Sequence, residues 1–204
     1  MNITSLSQTS PGRFEIRFDS GETLRSTLAA VTDARLYVGM ELSQEAFEEL
    51  KRSSSKALEH EKALEMLSRR PYSRKELKEK LMRKGIAEES ADECVRWLDE
   101  NGFLDDGNYA SAVARHYSAK GYGPGRVKGE LRRRGIDRET TEETLSELPD
   151  NTEKLDAFIA RRLRDPADRD NIRKVGAALY RRGYSWEEIR AALRRFEAET
   201  EEDE

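Results

Sequence analysis

In the stretch LRRRGI, residues 131–136, three consecutive arginines run straight into a glycine. Guanidinium groups at that density suit phosphate or carboxylate partners, which they grip through paired hydrogen bonds. The same residues also suit the end of a helix. Cations there meet the negative pole of the dipole, and glycine takes the left-handed position that stops the helix. Other chemically capable residues are sparse. Asp105 and Asp106 are paired carboxylates of the kind that hold a metal, yet no further carboxylate or histidine stands at ligand spacing. One of the two is expected to cap a helix that starts there. His60 and His116 lie in helical stretches without the acid or nucleophile of a triad. Cys94 is the single cysteine and falls in an apolar register, which suits an inert buried thiol and excludes an internal disulfide. GYGPGRVK, residues 121–128, lacks the GxxxxGK[ST] spacing and the preceding strand of a nucleotide-binding loop. No catalytic residue, metal or cofactor is expected.

The elements that carry the arginines recur. Leu77, Leu81, Gly85 and Ile86 match Val127, Leu131, Gly135 and Ile136, and these match Val175, Leu179, Gly183 and Tyr184, at glycine spacings of 50 and 48 residues. Beyond each glycine, Cys94, Val95 and Leu98 share offsets with Thr144, Leu145 and Leu148, and with Ala192, Leu193 and Phe196. Self-similarity at this period signals stacked units. A further apolar helical piece precedes each shared part: ALEMLSRR, YASAVARHYSAK and KLDAFIARRL, halted by Pro71, by residues 121–125 around Pro124, and by Pro166. Three short helices bury only a thin core, so neighbouring repeats must pack on one another.

The amino-terminal part reads differently. In RFEIRF, Phe14, Ile16 and Phe18 alternate with charged residues as in a half-buried strand, and DSGE supplies a hairpin turn at Gly21. Further strands are expected over residues 23–28 and at RLYV, residues 35–38, followed by a helix capped by Ser43. KRSSSKA, residues 51–57, fits either a polar joint or continuous helix. The fold class expected is mainly all-α: three tandem three-helix repeats forming an elongated array, with a small β-rich N-terminal cap. The segments are 1–50 for the cap, 51–107, 108–152 and 153–197 for the repeats, and 198–204 for an acidic, disordered tail.

The net charge of -4, from 37 basic and 41 acidic residues, argues against a generic polycation that coats DNA or membrane. Its distribution is more telling. The middle helices are basic along their length: residues 126–134 hold five cations against Glu130 alone, and 173–182 hold Arg173, Lys174, Arg181 and Arg182 against no acid. Residues 87–101 reverse this with six acids and one base. Like charges at helical spacing repel, so a phosphate backbone or an acidic groove is the natural counterpart. Among the aromatics, Trp97, Tyr117, Tyr180, Tyr184 and Trp186 sit in or beside the apolar register and read as core or inter-repeat contacts. Tyr122, flanked by glycines ahead of a basic helix, is the one expected to stack on bases.

LDDGNYA at residues 104–110, GPGRVKGELRRRGID at 123–137 and RPYSRKELKEKLMRKG at 70–85 together resemble the RecX family of RecA regulators. The resemblance covers about residues 58–196, and a strand-rich leader occurs in some members. It implies a cytoplasmic, non-enzymatic modulator, mainly an inhibitor, which lies in the groove of the RecA filament on single-stranded DNA and blocks extension, ATP hydrolysis and strand exchange. The implied partners are that filament and single-stranded DNA, with weak duplex binding and no membrane; a monomeric chain is the default expectation, with the oligomeric state left open. By position in the repeat, contacts are assigned to Arg74, Lys78, Arg83, Lys84, Tyr122, Arg126, Lys128, Arg132, Arg133, Arg134, Arg173, Lys174, Arg181 and Arg182. Leu104, Asp105, Asp106, Tyr109, Ala110 and Gly135 carry the family signature. The first twenty residues lack the pattern of a signal peptide and no apolar run reaches the roughly 18 residues of a membrane span, in keeping with a cytoplasmic protein. Two other functions fit the residues alone: a sequence-selective helix-turn-helix DNA binder, and a helical-repeat scaffold for proteins.

Overall fold

The structure, a computed structural model, describes residues 1–165 and 167–202, so Pro166, expected to halt a helix, and the last two tail residues lie outside the described residues. Those described form three strands and ten helices in two compact units, one of residues 1–72 and 77–104 and one of residues 73–76 and 105 onward. In the first unit β1 (Ile3–Ser10), β2 (Arg13–Phe18) and β3 (Thr23–Thr27) pair antiparallel in that order. Ile16 and Phe18 are buried as the alternation of β2 requires, and Gly21 turns the β2–β3 hairpin at φ +86°.

One expectation for this region fails. RLYV forms no strand: Leu28–Asp33 is a short helix, α1, after which Arg35 is left-handed and Tyr37 and Val38 are exposed. The third strand is instead β1, whose run of serines and threonines hid the buried Ile3. The KRSSSKA alternative resolves to continuous helix. α2 (Gln44–Arg69), capped by Ser43, runs through it and through the boundary placed at residue 50. Ser54 is polar there for an internal reason: its hydroxyl meets that of Ser26 on β3 at 2.9 Å, both fully buried.

The repeats follow. The later part of α2 with α3 (Arg74–Arg83) and α4 (Glu88–Glu100) forms the first. α5 (Asp106–Ala119), α6 (Pro124–Arg133) and α7 (Arg138–Ser146) form the second, and α8 (Thr152–Ala160), α9 (Arg169–Arg181) and α10 (Trp186–Glu202) the third. The shared register is the core register: Leu77, Leu81, Val127, Leu131, Val175 and Leu179 are all buried. Gly85, Gly135 and Gly183 are left-handed at φ +86°, +80° and +92°. Pro124 opens α6 at its first turn instead of halting α5, which suits its fixed φ and missing donor. α10 continues as helix to Glu202, into the stretch expected to be disordered; glutamate is a good helix former and the half-buried Phe196 anchors the segment. Among the described residues no helix is long and apolar enough to cross a membrane.

Candidate functional site

The three arginines of LRRRGI have three different surroundings. Arg134, last before the glycine, is enclosed by partners of the second unit. Its Nε and Nη2 donate to Glu130 at 2.9 and 2.7 Å, and its Nη1 donates to Glu76 at 3.1 Å and to the Tyr109 hydroxyl. Tyr109 in turn donates to Glu76 at 2.8 Å. Glu130 is only 5% exposed; burial raises its pKa, but hydrogen bonds from Arg133 and Arg134 outweigh that and bring it down to about 2. Arg133 also holds Glu130, at 2.6 Å, yet its side chain is 72% exposed. Arg132 is exposed and forms no ion pair among the described residues. With Lys128 and Arg138 it lines a cleft of about 410 Å³ floored by Ile136 and Thr141. Arg138 is matched there by Glu142 at 2.7 Å.

Arg134, assigned to an external contact, is engaged within the chain: it fastens the first turn of α3 to the last turn of α6. The family signature serves the same joint. Asp105 caps its own helix by accepting from the Asn108 N–H at 2.8 Å, a bond that lowers its pKa. Asp106, 8% exposed, accepts from the backbone N–H of Arg74 at 3.0 Å, with the Arg74 guanidinium 3.7 Å away. The Ser73 hydroxyl donates to the Arg134 carbonyl at 2.6 Å. The paired acids thus hold two helix starts, and among the described residues no group of three or more His, Cys, Asp or Glu could hold a metal.

The next joint is made of backbone. The N–H groups of Gly123 and Gly125, at the start of α6, donate to the carbonyls of Arg182 and Gly183, each at 2.9 Å. A Cβ on Gly183 would lie 2.2 Å from the Arg126 nitrogen, and one on Gly123 2.6 Å from the Gly183 carbonyl carbon, so only glycine permits this approach. Arg182 donates to the carbonyls of Lys120 and Gly121, at 3.3 Å each, and lies 5.5 Å over the Tyr122 ring. Tyr122, expected to receive a base, is half-buried, with the Tyr117 ring 5.5 Å away and the Arg126 guanidinium 6.0 Å over it. Its ring belongs to this joint, and so does Arg182.

The remaining assigned cations divide by partner. Lys78 donates to Asp92 at 2.8 Å and Glu88 at 2.9 Å, bonds that raise its pKa. Arg83 lies 3.6 Å from Glu79, and Arg173 lies 3.4 Å from Asp170 with both side chains 81% exposed. Lys84, Arg126, Lys128, Lys174 and Arg181 are exposed and make no ion pair among the described residues. Tyr180 and Trp186, expected as core or inter-repeat contacts, lie outside the core: they are 55% and 49% exposed and stack on each other. The signal available in the sequence was Gly176, four residues before Tyr180 in an otherwise regular helix. His60 packs flat on Trp97 at 4.0 Å, with its pKa lowered by burial and then by Lys56; the Cys94 thiol is buried, which pushes its pKa up to about 11.

Models of the first, second and third RecX three-helix domains match residues 60–98, 105–145 and 150–193. A regulatory protein RecX from Xanthomonas axonopodis pv. citri is 39% identical over 137 residues, 66% of this chain and 85% of that protein. In fold, the chain is similar to a crystal structure of regulatory protein RecX, with TM-score 0.75 and 22% identity over 93% of this chain and 97% of that one. It is also similar to the crystal structure of RecX from Lactobacillus salivarius, with TM-score 0.64 and 25% identity over 72% and 99%. Three domain matches in order, over the three helical units just described, lead to one conclusion: the chain belongs to the RecX family of regulatory proteins.

Proposed function

We propose that the protein modulates RecA, mainly as an inhibitor, by binding the RecA filament on single-stranded DNA and obstructing its extension, ATP hydrolysis and strand exchange. It does so by contact alone, in the cytoplasm, with no chemistry of its own. The observation that carries this reading is the cleft between α6 and α7, where Lys128 and Arg132 are exposed and make no ion pair among the described residues. Holding unmatched cations one helical turn apart costs a few tenths of a kcal/mol, and a phosphate chain or an acidic furrow relieves that repulsion. Arg126, Lys174, Arg181 and Lys84 extend the same chemistry. Arg134 and Arg182 do not, because each is engaged by partners inside the second unit.

Sub-stoichiometric protein should slow RecA-dependent ATP hydrolysis on single-stranded DNA. Lys128→Ala with Arg132→Ala should weaken that inhibition several-fold while leaving the unfolding transition in place. Inhibition equal to the parent's would refute the reading. Footprinting that shows a protected duplex site without RecA would favour the sequence-selective binder instead.

A further inference from the structure

We propose that the Tyr180–Trp186 pair on the third repeat is a stacking platform for the bases of single-stranded nucleic acid. The two rings lie 5.3 Å apart at an interplanar angle of 16°, and about half of each residue faces solvent. A core contact would bury them; a surface tyrosine and tryptophan held parallel present a π-face to an incoming ring. The platform is built in advance. A Cβ at position 176 would stand 3.3 Å from Cζ3 of Trp186, so Gly176 lets the indole lie close on α9, although glycine is an unfavourable residue inside a helix. Ile189, whose Cγ2 would stand 3.8 Å from the same Cβ, is buried beside it.

The surroundings suit a polyanion carrying those bases. Helical spacing puts Arg169 and Arg173 on the face of α9 that bears Gly176 and Tyr180, and puts Arg190 one turn along α10 from Trp186. Arg169 and Arg190 are exposed and make no ion pair among the described residues, and the Arg173–Asp170 pair is too exposed to hold its cation back. Of the nearby acids, Glu188 is engaged in the capping box: it accepts from the Ser185 N–H, and its own N–H donates to the Ser185 hydroxyl. Aromatic faces flanked by arginines are the arrangement that takes a single strand without reading its sequence. The inference deepens the reading above, since it names which part of a nucleoprotein filament this repeat takes.

The test uses the full chain and oligothymidylate with no RecA present, so its outcome is separate from that of the ATPase experiment. Titration should quench tryptophan emission in the parent, and the quench should vanish in Trp186→Phe, in which Trp97 alone remains to emit. Trp186→Phe keeps an aromatic face and should bind within about twofold of the parent, whereas Tyr180→Ala with Trp186→Ala should bind roughly tenfold more weakly. Tyr180→Ala alone removes a ring that is more than half exposed, leaves the fold intact, and should still weaken binding several-fold. In all variants the slope of log affinity against log salt should stay at the parent value, because no phosphate contact is lost. Unchanged affinity in Tyr180→Ala, persistence of the quench in Trp186→Phe, or a flattened salt slope would each overturn the proposal. So would a double variant that loses RecA inhibition while keeping its oligothymidylate affinity, for the pair would then serve a protein surface.

Discussion

The second unit contains the same joint twice, built with different chemistry. Where the first turn of α3 meets the last turn of α6, the contact is ionic: Arg134 joins Glu130, Glu76 and Tyr109. Where the first turn of α6 meets the last turn of α9, it is glycine against glycine, with two N–H groups on two carbonyls. The positions correspond. Ser73 reaches the carbonyl before Gly135, as Gly123 reaches the carbonyl before Gly183. In both, the cation directly before the glycine is consumed by the joint. Its counterpart before Gly85, Lys84, is exposed and makes no ion pair among the described residues. A basic residue at that position is thus a fastening wherever another helix start docks on it, and available charge only where none does.

The ionic joint should break hardest. Arg134→Ala leaves Glu130 charged, buried and short of its main partner, and should cost about 3–5 kcal/mol in denaturant unfolding. Arg182→Ala, which removes hydrogen bonds to carbonyls that remain partly solvated, should cost about 1 kcal/mol. Equal losses would erase the distinction between the two joints.

Acid should act on one joint alone. The Glu130 carboxyl is held at about 2 in the folded chain against 4.5 as its ordinary value. Its stabilisation is therefore complete above pH 4.5 and lost as the pH falls towards 2, a total of about 3 kcal/mol. Unfolding measured across that window should steepen in the parent and flatten in Glu130→Gln. A variant as acid-sensitive as the parent would assign the loss to other carboxylates.

The backbone joint should answer to a methyl group. Gly183→Ala places a Cβ against the Arg126 backbone at φ +92°, and neither can retreat without separating the helices; a loss of about 2 kcal/mol or more is expected. Gly135→Ala meets the Lys75 side chain, whose Cδ at 2.4 Å can swing away but whose Cβ at 2.5 Å is fixed to the backbone of α3, so left-handed strain and a displaced helix start together should cost about 2 kcal/mol, somewhat less than the direct backbone clash at position 183. Thermal unfolding of the two variants side by side checks the difference.

Much of this fold could be read in the chain because helices and their ends are local. The glycine register, the Ser43 cap and the Ser185–Glu188 box depend on residues a few positions apart. The site was legible only in part, because whether a cation is available depends on partners distant in sequence. Lys78 looked like Lys128 until Asp92 and Glu88 came to meet it, and Arg134 looked like Arg132 until Glu76, 58 residues away, did so. GPG read as a breaker because the surface it presses on lies about sixty residues further along. Tyr180 and Trp186 read as core or inter-repeat contacts because apolar spacing marks the edge of a helix face as strongly as its centre.

The smallest stability effect should accompany the largest change in binding. Lys128 and Arg132 touch neither joint, so replacing either with alanine should shift stability by no more than about 0.5 kcal/mol. If each meets a phosphate, each replacement should lower the slope of log affinity against log salt by about 1, measured on RecA filaments formed on single-stranded DNA. Lys78→Ala is the control from the first repeat. Its ammonium already has two carboxylates at 2.8–2.9 Å, so little charge is left to release counterions and the slope should not move. A slope that falls as far for Lys78→Ala as for Arg132→Ala would mean that total charge along the helices governs binding, and the separation of fastening cations from available ones would lose its functional meaning.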